Sequence, residues 1–210
     1  MLHTTLLPGA ERLLRSHARE LPQRDDLCGA FCAALALHAA GIEQRGGEPV
    51  DQDAVALAAG TVISAAPNVE ILPFAEPGRR DYRVSLPTIE DAAVSGTTAA
   101  GLVSAVAELS DGRLAALPYD GPWTAANLSA MFDLAASLRE PVTLLANFAT
   151  RHLWGSRPGI PELLGYLLAG VDEGPRPDWD VGHFACVVGR ITGPGAAAYL
   201  LADTYPSLGR

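Results

Sequence analysis

The run Cys28 to Ala40 carries small and apolar residues on every side of a helical wheel and stops at Gly41. A helix of that kind has no face to offer water, so the rest of the chain has to wrap around it. Gly41 supplies the stop, and Asp25 and Asp26, residue types that cap helices, stand just ahead. With 210 residues, 49% of them apolar and 19% charged, the chain can bury a core of this description within one domain.

The elements around this helix follow from pattern and punctuation. Pro8 and Gly9 precede an amphipathic stretch with Leu13, Leu14 and Ala18 among Arg and Glu, which predicts a helix ending before Pro22 and makes residues 1–21 a helical strut. A weaker helix is expected over Asp51 to Ala59. Residues 60–95 are rich in Pro, Gly and polar residues and read as an irregular insertion, with one strand around Tyr82 to Leu86. Thr97 or Thr98 caps a helix through Leu109, Leu114 to Tyr119 reads as a short strand, and a further helix runs from Thr124 to Arg139.

Beyond Pro141 the pattern turns to sheet. VTLLANFAT, HFACVVG and AAAYLLAD are continuous apolar runs, as expected of strands covered on both faces. Residues 151–180 form a second irregular insertion around a helix at Pro161 to Ala169. Helices first and strands last make a single α+β domain, with N-terminal helices packed on a mainly antiparallel C-terminal sheet.

Composition narrows the function. All 15 basic residues are Arg, and against 24 Asp and Glu they leave a net charge of −9, which disfavours nucleic acid and anionic membranes as partners. Without Lys, Schiff-base chemistry and the phosphate-loop lysine are excluded. Cys28, Cys32 and Cys186 are too few for a disulfide framework and suit a reduced, cytoplasmic setting. No stretch keeps about 18 apolar residues free of charges and breakers, so membrane insertion is not expected.

Cys28 sits where the central helix begins, and the unpaired N–H groups and dipole there favour a thiolate. Gly29 beside it offers a substrate carbonyl close approach to the backbone. His183 opens one apolar strand and Asp203 ends the next. A turn centred on Gly193 sets the two side by side on one face, where a carboxylate fixes the imidazole tautomer. Gln23, in the polar loop before the helix, can donate to an oxyanion together with the Cys28 N–H. Cys32 and His38 lack zinc-site spacing and read as core, as does Cys186, so neither a metal nor a cofactor is expected. His152 has no carboxylate strand beside it. Trp154, Trp179 and Tyr205 are expected to flank the site. Glu162, Asp172, Glu173, Asp178 and Asp180 make the loop before His183 acidic, which would favour a cationic substrate.

Taken in order, LPQRDDLCGAFCAALALHAAG resembles the nucleophile helix of papain-like cysteine peptidases, in particular the double-glycine leader peptidase domains of bacteriocin-processing systems and their stand-alone relatives. GHFACVVG and YLLADTYP are similar to that family's histidine and aspartate strands, GTTAAGLVSAVAEL to its middle helix, and LREPVTLLANF to the strand before the histidine. The resemblance implies a papain-like fold, with Cys28 as nucleophile, His183 as general base and acid, Asp203 as its orienter and Gln23 as oxyanion donor. It implies cleavage of a peptide or amide bond through an acyl-thioester, with peptide maturation as the role. Acyl or peptidyl transfer by the same residues is the alternative, and a non-catalytic peptide-binding module is another.

Overall fold

In the computed structural model of the chain, all residues are described except 68–71, 74–75, 156–157 and 209–210. The chain opens with strand β1 (His3–Leu6) and helix α1 (Ala10–Glu20), followed by α2 (Cys28–Ala39). A two-residue hairpin, β2 (Gln44–Arg45) and β3 (Glu48–Pro49), turns through Gly46 and Gly47, both at positive φ as this tight turn requires. Next come α3 (Gln52–Ala58), β4 (Ile63–Ser64), β5 (Thr88–Ile89), α4 (Ala99–Leu109) and α5 (Ala125–Ser137). The chain then runs through β6 (Leu144–Ala149), α6 (Ile160–Ala169), β7 (Gly182–Thr192) and β8 (Ala197–Ala202).

The all-round apolar helix is indeed the centre. Phe31, Cys32, Ala33, Ala34, Leu35 and Leu37 of α2 are completely buried, and α1, α3, α4 and β7 all pack against it. Burying Phe31, Leu35 and Leu37 contributes on the order of 2 kcal/mol each. Side chains cap three helices: Asp51 accepts from the N–H groups of Asp53 and Ala54 at α3, Thr98, one of the two caps expected, from Gly101 at α4, and Thr124 from Asn127 at α5.

β7 is the spine of a four-stranded antiparallel sheet. β6 and β1 lie end to end along one of its edges, pairing with Gly182–Val187 and Gly189–Thr192 respectively, and β8 lies along the other. Phe184, Cys186 and Val188 join the core around α2, whereas Val187 joins a smaller cluster formed by Leu7, Phe132 and Ala135 under α5. Arg190 reinforces that second layer, with its guanidinium over the Phe132 ring and bonded to Asp133. The molecule is thus an α+β fold with an antiparallel main sheet.

Several sequence expectations are corrected. The N-terminal segment is not wholly a helical strut, because residues 3–6 add a strand to β7. Leu114 to Tyr119 forms no strand: its alternation tucks Leu114 and Ala116 against the core without reaching a sheet edge. The strand expected at Tyr82 to Leu86 lies instead at Thr88–Ile89, in a short parallel ladder with Ile63–Ser64. Only β7 is covered on both faces; β6 and β8 keep partly exposed residues. Asp25 and Asp26 do not cap α2, whose N-cap is Leu27 with no side-chain bond.

Candidate active site

Cys28 is the first residue of α2 and partly exposed. The loop before it is braced from outside. Asp26 adopts a left-handed conformation (φ 64°), and its carboxylate accepts from the Ser64 N–H and hydroxyl and from the Ser95 hydroxyl. Asp25 exchanges bonds with the Arg79 backbone, accepting at 2.9 Å and donating at 2.8 Å. The Arg79 guanidinium reaches the Pro22 carbonyl at 2.7 Å, and Arg24 is paired with the fully buried Asp53 at 2.9 Å. Ser64, Arg79 and Ser95 therefore strap down the start of α2 from the insertion.

Gly29 is not an opening for substrate. A Cβ there would meet Thr97, Leu102 and Phe184 at 3.2–3.3 Å, so the missing side chain allows α2 to approach α4 and β7.

His183 stands at the start of β7, 2% exposed, with Nε2 bonded to the two Asp203 carboxylate oxygens at 3.1 and 3.3 Å. The register that brings them together differs from the expected one. The turn is four residues long and pairs Thr192 with Ala197. Carried straight back, that register would set Asp203 opposite Cys186, on the wrong face relative to His183. A β-bulge at Val188 absorbs one residue, so that Cys186 pairs with Ala202. Continuing from there, Asp203 falls opposite Ala185, on the face of His183. The inferred face is therefore correct, but the pairing is diagonal and depends on the bulge.

Burial alone would push the His183 pKa down. Hydrogen bonding to Asp203 and to Cys28, with the negative charge of both, overcomes this and raises it from 6.5 to about 9. With Nε2 committed to Asp203, Nδ1 is the ring nitrogen left for the sulfur. Trp179 lies edge-on to the imidazole at 4.7 Å, Phe148 at 6.0 Å, and Tyr205 lies nearly parallel to it at 6.4 Å.

Asp203 is itself held. Its Oδ1 accepts from the Thr204 and Tyr205 N–H groups at 2.7 and 3.3 Å, and its backbone carbonyl accepts from Nε2 of His17 on α1. His17 was not foreseen as part of the site. The available signal was an imidazole one turn beyond Leu13 on the buried face of α1. Gln23 is also buried, 4% exposed. Its backbone N–H donates to the Thr204 carbonyl at 3.0 Å and its Nε2 to the Tyr205 hydroxyl at 2.9 Å.

His183, Asp203 and Gln23 thus meet around the Asp203–Tyr205 turn, with Trp179 and Tyr205 beside them and Cys28 near enough to His183 to raise its pKa. Trp154 does not join them; it bonds Asp172 and packs on Tyr166. His152 is exposed in a short 3-10 turn. His38 is a core residue bonded to the Val50 carbonyl at 2.6 Å, and Cys186 is fully buried. Among the described residues, no group of three or more His, Cys, Asp or Glu is placed to hold a metal ion, and no helix is long and apolar enough to cross a membrane.

Fold and site together define an α+β protein with a buried His183–Asp203 pair, the imidazole of which feels Cys28 at the start of the central helix. The chain belongs to the family described as "Family of unknown function (DUF6885)", whose model matches residues 7–210. No curated protein matches it, and neither does any solved structure.

Proposed function

We propose that the chain is a papain-like cysteine hydrolase that cleaves a peptide or amide bond, with Cys28 as nucleophile, His183 as base and acid, and Asp203 as orienter. The observation that carries this reading is the buried imidazole bonded to both Asp203 carboxylate oxygens, its pKa raised to about 9 by Asp203 and by Cys28 nearby. An imidazole of that pKa is protonated at neutral pH and sits opposite a sulfur at a helix N-terminus. The pair is therefore arranged for proton transfer between imidazole and sulfur. The thiolate attacks the acyl carbon, the imidazolium hands its proton to the leaving amine, and a thioester remains. Water, deprotonated by the then neutral His183, attacks the thioester and releases the acid. Asp203 keeps Nδ1 turned to the sulfur throughout. The free thiols suit a reducing, cytoplasmic setting, and the substrate class is a peptide.

The test is alkylation of Cys28 by iodoacetamide at pH 7, located by mass spectrometry, in wild type, His183→Ala and His183→Gln, with thermal melting to confirm folding. A fall of about tenfold or more in either folded variant supports the paired thiolate. Equal rates in wild type and the variants overturn it.

A further inference from the structure

Gln23 poses a polar imbalance. Its Nε2 donates to Tyr205, yet its Oε1 is buried with no partner, an arrangement that is costly because the oxygen has lost water and gained nothing in return. Turning the carboxamide by a half rotation exchanges the two ends. The Tyr205 hydroxyl, which can donate as well as accept, then gives its proton to Oε1, and an N–H of Nε2 takes the orphaned position. Tyr205 is suited to this. Burial pushes its phenol pKa up, so it keeps its proton. Its ring is fixed against Trp179 at 5.8 Å, and Gln23 is anchored to the same turn through the Thr204 carbonyl.

Resting on the cysteine-hydrolase reading, we infer that Tyr205 is a positioning residue for acyl transfer: its hydroxyl holds the Gln23 carboxamide with Nε2 directed at the oxyanion formed on attack by Cys28. Tyr205 touches neither the sulfur nor the acyl carbon; it acts through Gln23.

The distinguishing property of this role is that it matters only when an oxyanion forms. Acylation of Cys28 by p-nitrophenyl acetate passes through one, whereas alkylation by iodoacetamide does not. Tyr205→Phe retains the ring and removes the hydroxyl. The expected result is that the p-nitrophenolate burst slows about tenfold or more in Tyr205→Phe and in Gln23→Ala, while iodoacetamide alkylation stays within about twofold of wild type. The double variant should be no slower than Gln23→Ala alone, because the hydroxyl has no route to the oxyanion except through the amide. An unchanged burst in Tyr205→Phe, equal losses in both reactions, or additive losses in the double variant would overturn the assignment. If Cys28 alkylation in wild type is indifferent to His183→Ala, the hydrolase reading fails and this inference falls with it. If alkylation depends on His183 but the burst ignores Tyr205, only this inference falls.

Discussion

Two thiols lie one turn apart on α2 and live in opposite surroundings. Cys28, at the helix start, is partly exposed and faces a raised imidazole. Cys32 is completely buried, and burial followed by hydrogen bonding with Cys186 pushes its pKa well above the ordinary thiol value. Helix, residue type and apolar neighbourhood are shared. What separates the two is the turn of helix that carries one out of the core and up to His183, so the reactivity expected of each is set by position along the helix and not by its composition.

The comparison is broken most directly by labelling. In the native protein at pH 7, Cys28 should react with iodoacetamide at least about a thousandfold faster than Cys32 or Cys186, since the latter must wait for opening of the core. Site-resolved mass spectrometry reads the ratio, and denaturant should collapse it. Comparable native rates would mean that the core around α2 is looser than the packing implies.

The second test concerns the imidazole. Because the folded pKa of His183 is raised from 6.5 to about 9, its contribution to stability is fully present below pH 6.5 and is lost as pH rises through about 9. The shift corresponds to about 3 kcal/mol. Urea midpoints at pH 6 and pH 9.5 should show a decline in wild type that is absent from His183→Gln. A decline of the same size in both would assign it to other groups.

Gly29→Ala tests the packing that places Cys28. The added methyl must displace Thr97, Leu102 and Phe184, and the gain in helix propensity offsets only part of that cost. A net loss of about 1–2 kcal/mol in denaturant unfolding is expected. A neutral or stabilising effect would show that α4 can move away from α2.

The parts of this arrangement legible in the sequence were local ones. Cys28 to Ala40 announced a buried helix, and Asp51, Thr98 and Thr124 announced helix starts, because each signal lies within one or two turns of its consequence. Asp26 looked like a cap for the same reason, yet its carboxylate is taken by Ser64 and Ser95. Only the folded chain brings those residues near, so no neighbouring residue marks the difference. The His183 and Asp203 strands could be read from their apolar runs, but the bulge at Val188 could not. A buried valine in an extra position has the same composition as one in a regular ladder. His17 under the Asp203 carbonyl and Tyr205 against Gln23 are contacts across most of the chain. Gly29 carried a local signal that admitted two readings, substrate approach or helix packing, and only the neighbours of its Cα decide for packing.

The smallest expected effect isolates Cys32. Cys32→Ala removes one sulfur from a filled core and leaves a gap of about methylene size or slightly more, for a loss of about 1 kcal/mol, lessened by the better helix propensity of Ala. Neither the start of α2 nor the His183–Asp203 pair depends on that sulfur, so Cys28 alkylation should stay within about twofold of wild type. A large fall in Cys28 reactivity without loss of stability would show that the two thiols act as a coupled pair. The difference between them would then be one of degree along α2 and not a division between site and core.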